Sequence, residues 1–298
     1  MVVLATVTAD FLNRPGYANS TLKSYELTLM PLLKKHGRIP IELLTREILE
    51  EYLESLSALS YTTHRRHQAI LQSLLNFALE RGNLKANPIA HLKLRKPNPA
   101  VGESHTDEVV RYLNPEQLQA LYLSLKPDPR MYALVLLLHR TGARIAEVLA
   151  LNLADLDLND YKFQVIGKGN KRRWCFYSED AADALERYVQ HYRHAESPAL
   201  FTARQPQSNI VSRLSYTTVY KAWKQLTLTI TLLNDSRIHD LRHTFATERV
   251  GLMGIEELRA LLGHQNIQTT LRYQKVTSAR AQEVAKYALG VIQGAEQG

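Results

Sequence analysis

"YKFQVIGKGNKRRWCFY", residues 161–177, is the stretch on which the fold class turns. Its flanks alternate on both sides of a Gly-Lys-Gly-Asn turn, which is the pattern of a β-hairpin. Everything from residue 179 onward reads as helix. Upstream, "NPEQLQALYLSL" starts a helix with Asn114 as its cap and Pro115 at the first helical position. "RMYALVLLLHRTG" has the character of a buried helix ending at Gly142, and "ARIAEVLALN" begins the next. The expected fold is α+β and mainly α, with a small antiparallel β-sheet or hairpin in the C-terminal part.

Towards the N-terminus, residues 20–35, 45–57 and 62–81 read as helices, with Ser20 and Thr62 as N-caps. Gly37 and Gly82 follow last turns. In "THRRHQAILQSLLNFALERG", Ile70, Leu71, Leu74, Leu75 and Ala78 form one apolar stripe. Arg65, Arg66, Gln72, Ser73 and Asn76 project on the other side, as a solvated face or a binding one. "KLRKPNPAVGESHTDEVV" (93–110) carries two prolines, a glycine and the basic cluster Lys93, Arg95 and Lys96. It predicts a linker over 96–110, between a helical domain at 1–95 and a second domain at 111–298.

At 298 residues, 45% apolar and 22% charged, the chain has the composition of a soluble two-domain protein. The net charge of +8 favours a polyanionic partner such as nucleic acid. Thirteen Lys and Arg stand against eight Asp and Glu before residue 101, so most of the surplus belongs to the N-terminal domain. Cys175 is the lone cysteine, which rules out an intrachain disulfide and a Cys-rich zinc module and suits a reducing cytoplasm. "MVVLATVTADFLNRPG" lacks the basic start and apolar run of a signal peptide, and "MYALVLLLH" is too short to span a bilayer. A cytoplasmic location with no membrane association is expected.

The chemistry begins at "HDLRHTFATE" (239–248), where His239 and His243 lie four apart beside Asp240. The pattern comes close to the H-E-x-x-H of zinc hydrolases. A zinc site also needs a third ligand, and Arg242 would stand beside the dication. A phosphate site needs planar cations and a titrating group, which Arg242 and His239 supply. His243 is expected only to cap or pack. In "HRTGARIAEVLALN", Arg144 sits at a helix start with Glu147 one turn later. Lys168 occupies the hairpin tip. His264 follows the helix end "LLG", and Tyr273 comes nine residues on. Singly, each has a plain alternative: a surface ion pair, a turn lysine, a core aromatic. The five together, in order, do not.

"TGARIAEVLAL", "GKGNKRR", "HDLRHTFAT", "LLGH" and the tyrosine of "TTLRYQ" resemble the boxes of the tyrosine recombinases, or phage integrases, in order and approximate spacing. The likeness is to compact Xer-like members and covers nearly the whole chain. "TLKSYELTL" and "NLKANPI" are similar to the family's helical core-binding domain. Ala143 stands where the family often has leucine, and no glycine precedes the second box.

That resemblance implies a catalytic set of Arg144, Lys168, His239, Arg242, His264 and the nucleophile Tyr273, with Glu147 holding the first arginine. Arginines and a histidine would neutralise the phosphate charge with neither metal nor cofactor. His239 is the expected acceptor of the Tyr273 proton, and Lys168 the expected acid for the leaving 5′ oxygen. The partner would be a double-stranded DNA recombination site, held in a C-shaped clamp. Arg65 and Arg66 would lie in the major groove, and Lys93, Arg95 and Lys96 on phosphates. The stripe Val284, Tyr287, Ala288 and Val291 would dock a C-terminal helix on a neighbouring protomer, giving a homo-oligomer expected to be a tetramer. Two alternatives share the scaffold: an inactive architectural DNA-binding protein and a type IB topoisomerase-like relaxing enzyme. The intact set of six residues disfavours the first, and the compact size disfavours the second.

Overall fold

The computed structural model describes residues 1–101, 103, 110–167, 171–205 and 207–277, with side chains to 274. Lys168 at the hairpin tip and the stripe from Val284 to Val291 lie outside the described residues. The chain divides into two compact units, Met1–Glu108 and Val109–Gly298.

The first unit is helical: α1 (Leu4–Leu12), α2 (Asn19–His36), α3 (Arg46–Glu54) and α4 (Tyr61–Glu80). The α4 stripe from Ile70 to Ala78 is buried against Leu4, Val7, Phe11, Leu29 and Leu32. Two caps differ from expectation. Ser60, not Thr62, caps α4 by accepting from the Thr63 N–H. No side chain caps α2, whose flanking residue is Ala18 rather than Ser20. Helix α1 is short, has no side-chain cap and includes Thr6, Val7 and Thr8, β-branched residues that are weak helix formers, so its local signal for a helix is weak. Part of the expected linker is pinned to this unit. Arg95 forks onto Glu103 at 2.8 and 2.9 Å, and the same carboxylate accepts from the Tyr61 N–H at the start of α4.

The second unit is built around α6 (Pro129–Thr141), which follows α5 (Pro115–Leu125) and precedes α7 (Ile145–Ala150). Asn114 and Gln117 form a reciprocal capping box at the head of α5. Met131 and every residue from Ala133 to His139 are buried, so α6 is the axle of the main core. The hairpin is present as β2 (Lys162–Ile166) and β3 (Arg172–Phe176), joined by β1 (Leu156–Asp157) into an antiparallel sheet of order β1-β2-β3. Then come α8 (Glu179–His191), β4 (Thr202–Arg204), β5 (Val211–Arg213), α9 (Tyr216–Thr229), α10 (Asp240–Arg249), α11 (Ile255–Leu262) and α12 (Gln268–Leu271). The β4-β5 ribbon corrects the expectation of unbroken helix after residue 179. Two three-residue strands are too short to show a period of two. No helix among the described residues is long and apolar enough to cross a membrane.

Gly142 sets the exit from α6. Its φ is +61°, and a Cβ there would meet Phe245 Cδ1 of α10 at 2.5 Å. Gly142→Ala therefore combines a left-handed penalty with overpacking, and should cost about 2–4 kcal/mol. Urea denaturation of the purified variant checks this; an unchanged midpoint would contradict the tight α6–α10 approach.

Candidate active site

Two elements bring guanidiniums together around one carboxylate. Glu147, in the first turn of α7, accepts the Arg144 main-chain N–H at 2.7 Å and the Arg144 guanidinium at 3.0 Å. From β3, Arg173 donates to both Glu147 oxygens, at 2.9 and 2.7 Å. Burial alone would raise the Glu147 pKa, but hydrogen bonds from Arg173 and Arg144 outweigh it and hold it at about 2. The carboxylate and Arg173 are 8% and 9% exposed, while Arg144 is 37% exposed and keeps an open face.

Arg242 has a different kind of partner. On α10 and only 3% exposed, it donates to the carbonyls of Gly142 at 2.6 Å and Leu262 at 2.5 Å. Among the described residues no carboxylate pairs with it. Burial first, then the nearby Arg144 and Arg173, press its pKa down to about 10, so it remains charged at neutral pH. The end of α11 supplies carbonyls to two of these guanidiniums, because Arg173 Nε donates to Leu261 O at 2.9 Å. Last-turn carbonyls lack intrahelical donors and carry the negative end of the helix dipole. Gly263 closes α11 with φ +64°, and a Cβ there would strike Arg173.

Past that turn, His264 Nδ1 lies 2.9 Å from the Thr270 hydroxyl, and its ring is parallel to that of Tyr273 with centroids 6.4 Å apart. Tyr273 is 1% exposed. The ring in contact with its hydroxyl is that of His243, whose Nδ1 lies 2.9 Å from Tyr273 Oη. His239 stands edge to face with His243 at 4.8 Å. The expectation that His243 merely packs is thus corrected. Asp240, the counterpart of a zinc hydrolase's glutamate, turns away to accept from the Arg237 N–H and shape the start of α10. Among the described residues, no three His, Cys, Asp or Glu side chains gather as metal ligands would.

Of the expected set, Arg144, Glu147, His239, Arg242, His264 and Tyr273 meet at this cluster. In the first unit Arg66, Lys93 and Lys96 are exposed, Arg65 lies against Tyr61, and Arg95 is committed to Glu103 and the Leu59 carbonyl. Arg173 and His243 were missed. The signal for Arg173 was its register: it alternates with Cys175 on the inward side of β3, opposite Val165. An arginine there needs a buried partner.

All three histidines are held below the usual range, by burial first and by neighbouring cations second. His243 falls to about 4, chiefly by burial and then His239, Arg272 and Arg242. His264 falls to about 3, by burial and then Arg242 and Arg144. A histidine whose folded pKa is depressed binds its proton more readily unfolded. Its contribution to stability is therefore complete above about pH 6.5 and is lost as pH falls towards 4. The melting temperature should drop over that window, and the double variant His243→Gln, His264→Gln should flatten the slope. An identical slope in the double variant would contradict the neutral assignment.

The chain compares closely with known proteins. The phage integrase family matches residues 111–280. The tyrosine recombinase XerC of Lactobacillus delbrueckii subsp. bulgaricus is 28% identical over 281 residues, covering 89% of this chain and 91% of its own. The Tn1549 transposon integrase in complex with circular intermediate DNA superposes with a TM-score of 0.72 at 20% identity, over 92% of this chain and 95% of that one. The XerH site-specific recombinase, bound to a palindromic difH substrate in a post-cleavage complex, gives 0.70 at 20% identity, over 95% and 83%.

Proposed function

The chain belongs to the phage integrase family, and from that membership we propose that it is a site-specific DNA recombinase working through a tyrosyl–DNA intermediate. One observation carries this for the residues themselves. Arg144 and Arg173 share one carboxylate, and Arg242 beside them is held, among the described residues, by carbonyls alone, so the site around the buried tyrosine has a standing excess of positive charge. A phosphodiester supplies the missing negative charge, and its transition state supplies more. Two planar guanidiniums match the non-bridging oxygens of phosphate.

In this mechanism Arg144 and Arg242 bind those oxygens. His264, whose Nδ1 lies 2.9 Å from the Thr270 hydroxyl, gives a third donor through Nε2 in the tautomer in which Nδ1 accepts from that hydroxyl. The Tyr273 oxygen attacks phosphorus, forming a 3′-phosphotyrosyl bond as the P–O5′ bond breaks. Lys168, between β2 and β3, protonates the departing 5′ oxygen. The phosphodiester energy stays in the covalent link, and a 5′ hydroxyl from a second duplex reverses the steps through a Holliday junction. Integration, excision and resolution all use this exchange. The reaction is metal-independent, needs no cofactor and takes place on cytoplasmic, nucleoid-associated DNA.

Residues 1–95 form the core-binding domain in this proposal. The exposed Arg66, Lys93 and Lys96 suit DNA contact, and Arg65 can join them by leaving its aromatic neighbour. Arg95 serves by holding the chain after α4 in place rather than by touching phosphate. The active assembly is a tetramer on paired sites, joined through C-terminal helices.

The test is a nicked suicide duplex carrying the sequence that the protein selects from a random library. Wild type should form a covalent adduct on a denaturing gel, with or without EDTA. Tyr273→Phe should bind equally and form none; an adduct from that variant would refute the nucleophile. Lys168→Ala should slow cleavage by roughly 10²–10⁴. A sulfur in place of the bridging 5′ oxygen should restore it, because a thiolate leaves without a proton. Arg144→Ala should show no such rescue. Equal Lys168→Ala defects on the two substrates would move the proton donor elsewhere.

A further inference from the structure

We propose that His243, the ring in contact with the Tyr273 hydroxyl, is the base that takes its proton during cleavage and returns it during rejoining. The inference rests on the recombinase function above and deepens it. It also moves the role expected of His239 one helical turn along α10.

The geometry carries it. Tyr273 is 1% exposed, which favours an acceptor already touching the oxygen over bulk water. His243 Nδ1 does so at 2.9 Å, within range for direct transfer. His239 stands edge to face with His243 at 4.8 Å, and the ring that makes the hydrogen bond to the hydroxyl is His243. The groups facing His243 are His239 and Arg242 from its own helix, and Arg272 and Tyr273 from the segment after α12. All are neutral or cationic. Burial also raises the Tyr273 pKa, with Arg242, Arg272 and Arg144 opposing, so the phenol is protonated at neutral pH.

Those same neighbours make the base selective. A neutral ring is required to accept a proton, and burial and the adjacent cations hold His243 at about 4. Its imidazolium is disfavoured until an anion enters beside Arg242. A bound phosphodiester brings one negative charge, and the pentacoordinate transition state adds another. Proton transfer is therefore coupled to substrate. As the Tyr273 oxygen forms its bond to phosphorus, its O–H bond breaks and the proton moves to Nδ1, while the P–O5′ bond breaks and Lys168 protonates the 5′ oxygen. Rejoining runs the same transfers backwards, with the proton on His243 leaving to the departing phenol.

The experiment is single-turnover cleavage of the nicked suicide duplex by the full chain. His243→Ala should be slower by roughly 10²–10⁴. His243→Asn, which keeps a polar atom near the Nδ1 position but cannot act as a base, should retain the wild-type melting temperature and DNA affinity yet cleave as slowly. Replacing Tyr273 by 3,5-difluorotyrosine gives a more acidic phenol with less need of a base. It should recover at least tenfold of the His243→Ala and His243→Asn defects and none of a His239→Ala defect. Wild-type rates in His243→Asn, or faster cleavage in His243→Ala, would overturn the assignment and make the contact a latch on the nucleophile. Rescue confined to His239→Ala would return the role to His239. Absence of any adduct with the wild-type protein would instead refute the recombinase function itself.

Discussion

Glu147 accepts from two guanidiniums at once, and the rest of the site depends on that carboxylate staying charged. It joins α7 to β3, so the helix start that presents Arg144 and the strand that carries Arg173 cannot move independently. Burial would protonate an isolated carboxyl here. The two arginines prevent this, and in turn need the carboxylate, because without it Arg144, Arg173 and Arg242 would repel one another in a poorly solvated space. Removing either side of such a pair leaves a buried charge uncompensated, which is far more costly than the net value of the pair itself. The ion pair is thus a constraint on geometry before it is a source of stability.

The choice of partners for Arg242 completes this logic. A carboxylate would have satisfied the guanidinium and left little appetite for another anion. The carbonyls of Gly142 and Leu262 fix its position and satisfy part of its hydrogen-bonding capacity without cancelling its charge. Both come from chain reversals, the left-handed exits from α6 and α11, so two glycines with positive φ shape the walls of an anion site. That is why the packing of Phe245 against Gly142, far from any reacting atom in chemical character, still matters to the position of Arg242.

The hairpin, the buried axle α6, its stop at Gly142 and the cap of α5 were all legible in the sequence, because each has a local cause in periodicity or backbone chemistry. The missed elements have weak local signals: α1 is a short, uncapped helix with three consecutive β-branched residues, and the β4-β5 ribbon is only three residues per strand. At the site, the residues carried by family boxes could be named, but not their contacts. Strand β3 shows why. Trp174 and Phe176 point outward while Arg173 and Cys175 point inward, so hydrophobicity alone would assign the faces the wrong way round. His243 was obscured by the opposite problem, since two histidines four apart on α10 are equivalent by spacing. Only the return of the chain after α12 decides which ring meets Tyr273.

The positive charge to which we assign phosphate binding also influences the protonation of the groups around it. The arginines help keep His239, His243 and His264 neutral, and burial keeps Tyr273 protonated. In the proposed mechanism the histidines are thus free to accept a proton and the Tyr273 phenol still carries its own. An entering phosphodiester reverses the balance, since a negative charge among these groups raises every histidine pKa and favours an imidazolium at the ring touching Tyr273. Activation of the nucleophile then needs no separate switch. A tyrosine that ionised before substrate arrived would be held by Arg242 as its own counter-ion, occupying the place meant for phosphate. In the proposed mechanism, depressed histidines and a buried phenol guard against that self-inhibition, which gives three neutral imidazoles a use beside three arginines.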